Sequence, residues 1–199
     1  DKLYQKYSKV YDTHKGVKST RELTAISKDP ETGNVLKKFS AKIVRLDYFY
    51  KTPDITALEY SENGEPGNKK DYDTREIEPF YPVFDKNGKK NYRLERSGFE
   101  TVNGIKCVRI KVTPAKKSAR HFSGFIYVDP VKLELIKLKG TVAKLHWAMK
   151  QYDFEYLYYD FNGFHAVKSA KITARVKVVL FVSDNITDYE VKVLSNSFF

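Results

Sequence analysis

GFIYVDPVKLELIKLKG, residues 124–140, is the stretch whose reading decides the fold. It reads as strand, tight turn, strand, with Asp129 and Pro130 supplying the turn. In the second arm Lys137 and Lys139 alternate with Ile136 and Leu138, the period of a strand with one wet face and one apolar face. The first arm, from Phe125 to Val128, carries no charge and is apolar on both faces. Its second face therefore needs a cover, and the helices or a long polar excursion are the candidates. A catalytic strand ordinarily ends in a nucleophile, an acid or a metal ligand; this turn holds only Asp129 and Pro130.

The same alternation runs through the C-terminal third. Ala170, Ile172, Ala174, Val176, Val178, Leu180 and Val182 fall in one phase, against Lys171, Thr173, Arg175 and Lys177 in the other. Tyr152, Phe154, Tyr156 and Tyr158 oppose Asp153 and Glu155, and Tyr189, Val191 and Val193 oppose Asp188, Glu190 and Lys192. These segments describe one sheet, apolar on one face and charged on the other. Short turns at Asn103-Gly104, Asn162-Gly163 and 183–185 join successive strands into an antiparallel meander. Upstream, Leu3, Tyr7, Val10 and Tyr11 share one helical face over the first dozen residues, and strands are expected over 17–28 and from about 35 to Tyr50. The apolar phase of the second strand slips between Ile43 and Val44, which a bulge or a strong twist there would explain. Residues 61–91 are polar and rich in Gly and Pro. Asp73 with Glu76 resembles a helix start, so the stretch is read as a mobile flap holding a short helix.

A chain of 199 residues suits a single domain spanning 1–199. Strands of roughly 15 residues reach about 50 Å, too long to stay flat. The fold class is thus α+β: a curved antiparallel sheet forming an incomplete half-barrel, with a few helices covering its concave face. That face is the candidate ligand-binding surface, an apolar cavity lined by Phe125, Tyr127, Trp147, Tyr152, Phe154, Tyr156, Tyr158, Ile172, Val176 and Leu180.

Other chemistries find little purchase. The four histidines, His14, His121, His146 and His165, never share ligand spacing, and Cys107 is the only cysteine, so no metal site and no intrachain disulfide are expected. His121 reads as a surface residue. There is no nucleophile elbow, phosphate loop or dinucleotide fingerprint, and no catalytic residue or cofactor is expected. The net charge of +11 favours acidic partners. Nucleic acid is not among them, because stacking needs aromatics and cations on one exposed face, and here they alternate onto opposite faces. The outward lysines Lys137, Lys139, Lys171 and Lys177 instead suggest peripheral attraction to an anionic membrane surface.

The segments GFETVNGIKCVRIKVTP, GFIYVDPVKLELIKLKGTVAK and YDFEYLYYDFNGF, with the final strands, resemble the outer-membrane lipoprotein-sorting proteins related to LolA. The N-terminal helix leading into GVKSTRELTAI fits the same layout. The resemblance implies a non-enzymatic protein of the periplasm or outer membrane of a Gram-negative bacterium, which shelters acyl chains of lipoproteins or lipids between sheet and helices. It also leaves room for a sensor or regulatory module that recognises another envelope protein.

Overall fold

The computed structural model describes residues 2–48, 53–69, 83, 88–178 and 183–199. In chain order these form α1 (Lys2–Thr13), β1 (Gly16–Lys28), β2 (Val35–Tyr48), β3 (Asp54–Glu62), β4 (Glu65–Pro66), α2 (Gly88–Asn91), β5 (Tyr92–Val102), β6 (Ile105–Pro114), β7 (Phe122–Asp129), β8 (Glu134–Val142), β9 (Met149–Phe161), β10 (Phe164–Val178) and β11 (Ser183–Phe198). The strands make one antiparallel sheet in the order β4-β3-β2-β1-β11-β10-β9-β8-β7-β6-β5. Two meanders are thereby joined through their ends: the first long strand, β1, pairs along its length with the last, β11. The sheet is curved and open, and only α1 and the single turn of α2 are helical among the described residues. Among the described residues the expected cover of a few helices is therefore barely present.

Turn chemistry explains the strand order. Asn63-Gly64, Asn103-Gly104 and Asn162-Gly163 all take left-handed backbone angles, which the tightest antiparallel hairpins require. The Asp129 carboxylate closes the β7–β8 connection by accepting the N–H groups of Val131 and Lys132. Asp29 does the same for Glu31 and Thr32 between β1 and β2, and those N–H groups hold its carboxyl below the usual range.

Several expectations are corrected by the register. The phase slip in β2 is no bulge of β2, whose Ala41, Ile43 and Arg45 stay buried in one phase; the extra residue is Leu58 in β3, because Lys42 pairs with Glu59 while Ile43 pairs with Ala57. Ile136 and Leu138 do not share a face. Tyr127 pairs with Lys137 and Val128 with Leu135, so Ile136 is the bulged residue and its side chain joins the opposite cluster. Among the described residues, no helix covers the second face of Phe125 and Tyr127. Arg109 lies over the Phe125 ring and Lys137 over the Tyr127 ring, beside Val102, Cys107 and Ile136 of the same sheet.

Of the excursion 61–91, residues 61–66 end β3 and form the hairpin to β4. The flap proper and its helix start at Asp73 lie outside the described residues, apart from Val83, which packs against the main core. His121 is not a surface residue. It is buried under the edge of the Tyr92 ring, with Ser118 Oγ against its Nδ1; burial first, then Lys116 and Arg120, push its pKa down.

The outward lysines are largely neutralised. Lys137 meets Glu155 at 2.9 Å, Lys171 meets Glu190 at 3.3 Å and Lys177 meets Asp184 at 3.1 Å. This is the cross-strand pairing of opposite charges that a solvated sheet face favours.

Candidate functional site

The apolar phase of every long strand contributes to one continuous face, called here the core face. One row runs across the sheet through Gly140, Phe154, Ile172, Tyr189, Ala25 and Phe39, each paired in register with the next. The next row runs Leu138, Tyr156, Ala170, Val191, Leu23, Ala41 and Tyr60. Small residues interrupt both rows, Gly140 and Ala25 in the first and Ala170 and Ala41 in the second, and rings from non-adjacent strands can meet over them. Phe122 of β7 and Phe154 of β9 touch edge to face at 5.7 Å across Gly140 of β8. Phe39 and Tyr189 approach to 6.4 Å across Ala25.

The face has three zones. Over β5 to β10 it is sealed: Tyr92, Phe122, Ile126, Leu138, Tyr152, Phe154 and Ile172 are buried together. Along β9 the aromatic ladder then continues outward, with Tyr156 at 5.6 Å from Phe154 and Tyr158 at 6.4 Å from Tyr156. Tyr156, Tyr158, Tyr189 and Phe39 are only half-buried.

The third zone is polar. Arg21 donates to Ser19 Oγ at 2.8 Å and to Asp47 at 2.6 Å, and Arg45 donates to the other oxygen of Asp47 at 2.6 Å. At the same end of the sheet Lys6 of α1 bridges Asp160 at 3.0 Å and Glu134 at 3.5 Å. Burial would raise the Asp160 carboxyl, but the Gly163 N–H and Lys6 outweigh it and hold it below its usual range. His165 lies beside Tyr158, and burial lowers its imidazole to about 4 against the opposing pull of Asp160.

The structure brings together Tyr152, Phe154, Tyr156, Tyr158 and Ile172, with Val176 in the same phase near the strand end. It does not bring Phe125 and Tyr127 to them. Both belong to the cluster on the other face, since they alternate with Ile126 and Val128. Trp147 does not join them either: it stands 67% exposed in the β8–β9 connection. Leu180 lies outside the described residues. Sequence reading set Tyr189 in the apolar phase but named neither it nor Phe39 as a lining residue, and it missed the Arg21–Asp47–Arg45 group. The signal for the arginines was present, because Arg21 is in phase with Leu23 and Ala25, and Arg45 with Ala41 and Ile43. Among the described residues no group of three or more His, Cys, Asp or Glu is arranged to hold a metal ion.

No protein-family model and no curated protein matches the chain. Among solved structures it is similar to a domain from Vibrio parahaemolyticus named for outer membrane lipoprotein sorting, at 11% identity over 99% of this chain and 91% of that one, with a TM-score of 0.46. It is similar also to a LolA-superfamily protein from Nitrosomonas europaea, at 6% identity over 100% and 92%, TM-score 0.47. A third similarity is to the MucA/MucB complex of Pseudomonas aeruginosa, at 8% identity over 100% and 99%, TM-score 0.29. At that distance the function has to be argued from the geometry of this chain.

Proposed function

We propose that the chain is a non-enzymatic carrier or sorting protein of the cell envelope, whose core face holds acyl chains of lipoproteins or lipids. The observation that carries the reading is the continuation of the aromatic ladder from the sealed Phe122–Phe154 contact into half-buried Tyr156, Tyr158, Tyr189 and Phe39. A face built only to be core would be covered over its whole width. Here apolar area remains to be withdrawn from water, at about 25 cal/mol per Å². The polar zone around Arg21, Arg45 and Asp47 makes the face amphipathic along the strands, which suits a ligand with one apolar and one polar end. The reading places the protein in the periplasm or at the outer membrane of a Gram-negative bacterium. It also accords with peripheral attraction to an anionic membrane surface.

Ile172 and Val176 sit on the core face and Leu180 continues their sequence phase, so the proposed binding residues are Tyr152, Phe154, Tyr156, Tyr158, Ile172, Val176 and Leu180, joined by Tyr189 and Phe39. Burial of about ten methylenes would contribute roughly 8 kcal/mol before ordering costs, enough to leave micromolar binding. The test is uptake of a fluorescent fatty acid by the protein and by Ile172→Asp, with circular dichroism confirming that the variant is folded. Uptake by the parent that is lost in the folded variant is the expected result. Equal uptake by both overturns the assignment of the face.

A second reading, an envelope sensor module that binds another protein, draws on β5. This strand pairs only with β6 among the described residues, and it exposes Leu94 and Phe99. An extended segment of a partner could add to such an edge. Binding of a partner protein with no uptake of acyl ligands would favour it over the carrier.

A further inference from the structure

On the outward sheet face Lys137, Lys171 and Lys177 are paired with carboxylates, and a share of the net positive charge lies elsewhere. It collects at the end of the sheet remote from α1. There the β6–β7 connection (residues 115–121) and the β8–β9 connection (143–148) lie side by side, fastened by the Ala143 N–H donating to the His121 carbonyl. Residues 115–121 and 143–150 together carry Lys116, Lys117, Arg120, Lys144 and Lys150 and no carboxylate. Lys116, Lys117, Lys144 and Lys150 are all exposed. None of these four lysines has an ion-pair partner among the described residues. The field of this cluster reaches inward, since Lys116 and Arg120 are among the causes that lower the pKa of His121.

Trp147 stands among these cations. The Met149 N–H donates to the His146 carbonyl at 2.9 Å, closing a turn that carries Trp147 on its outer side. The turn is held at its base: Lys177 of β10 donates its N–H to the Ala148 carbonyl, and Leu145 packs inward against the main core. A large apolar ring is thus held out into water on a fixed turn, 67% exposed.

We propose that this end of the sheet is a docking surface for an anionic phospholipid bilayer, with Trp147 entering the interfacial layer and Lys116, Lys117, Lys144 and Lys150 meeting the headgroups. Two features select a bilayer over an acidic protein. Indole, apolar in body and with one N–H donor, partitions to the depth of lipid headgroups. Flexible lysines reach along a plane of mobile phosphates without fixed geometry, whereas a protein partner would demand defined carboxylate positions. The surface borders the sealed end of the core face, where Leu145 packs with Phe122 and Tyr152. Docking does not depend on cargo: it is read with no exchangeable ligand, and its failure would leave acyl uptake untested and untouched.

Trp147 is the only tryptophan in the chain, so its emission reports on this surface alone. The experiment mixes the full chain with phosphatidylcholine vesicles, with or without phosphatidylglycerol, at low and high salt. Expected are a shift of emission to shorter wavelength and quenching by brominated acyl chains, with anionic vesicles only and weakened by salt. Lys116→Gln with Lys117→Gln, or Lys144→Gln with Lys150→Gln, should each reduce partitioning roughly tenfold or more, taking about fivefold per cation. Lys171→Gln, on the paired outward face, should change little. Co-sedimentation with unchanged Trp147 emission would place docking elsewhere and overturn the proposal. So would unaltered binding by the two lysine-pair variants, or salt-sensitive binding to an acidic protein with no response to vesicles.

Discussion

If Phe122 and Phe154 share the core face while Phe125 lies on the other, their energetic couplings must differ. The perturbations are Phe122→Leu, Phe154→Leu and Phe125→Leu, alone and paired with Phe154→Leu. Phe122 is fully buried and Phe154 nearly so, and the rings meet edge to face at 5.7 Å. Each single replacement at these two sites should cost about 1–2 kcal/mol, because leucine fills only part of the space a ring leaves. The edge-to-face contact adds about 0.5–1.5 kcal/mol beyond area burial, and it is lost once rather than twice in the double variant. The Phe122/Phe154 pair should therefore be less destabilised than the sum of its singles by that amount. The Phe125/Phe154 pair should be additive within about 0.5 kcal/mol, since the sheet separates the two rings. Urea denaturation at constant m-value reads both cycles, and a stability of about 5–15 kcal/mol keeps the double variants folded. Coupling of Phe154 to Phe125 and none to Phe122 would refute the register of β7 and with it the composition of the candidate site.

Gly124 and Gly140 face each other across β7 and β8, and a Cβ at Gly140 would lie 2.3 Å from the Ser123 carbonyl oxygen. Gly140→Val should thus cost at least about 1–3 kcal/mol by overpacking against backbone, measurable as a lowered denaturation midpoint; a neutral result would mean that the strands do not approach so closely there. The His165 imidazole titrates at about 4 in the folded chain, against an ordinary 6.5. The unfolded chain therefore takes up its proton first, so this contribution to stability is fully present above pH 6.5 and declines as pH falls toward 4, by up to about 3 kcal/mol. Denaturation midpoints across that window should fall more steeply for the parent than for His165→Gln, and parallel slopes would contradict the burial of the ring.

The C-terminal meander was legible because its alternation is strict and the β7–β8 and β9–β10 turns carry Asp-Pro and Asn-Gly; the turn read at 183–185 was misplaced, since those residues open β11 and pair with Val176 to Val178. The same logic would have found the β3–β4 hairpin from Asn63-Gly64, had the polar composition around it not read as a loop. Ile136 was placed on the wrong face because Leu133 to Leu138 is apolar at four of six positions, so either phase satisfies the pattern, and only pairing with β7 locates the extra residue. Phe125 and Tyr127 were assigned to the cavity for a related reason. An arm apolar on both faces does not reveal which face joins the aromatic ladder, and the cations over these rings come from the two flanking strands, β6 and β8. Trp147 was taken for a lining residue on hydrophobicity alone, whereas its turn points it outward. The pairing of β1 with β11, which makes one face out of two meanders, joins residues more than 150 positions apart and leaves no local trace.

Photo-crosslinking with a diazirine-bearing fatty acid, followed by residue-level mass spectrometry, tests the proposed carrier function most directly. Adducts are expected on Tyr156, Tyr158, Tyr189, Phe39 and Ile172, and an excess of unlabelled fatty acid should displace them. Adducts confined to Phe125, Tyr127 and other residues off the core face, or none at saturating ligand, would contradict it.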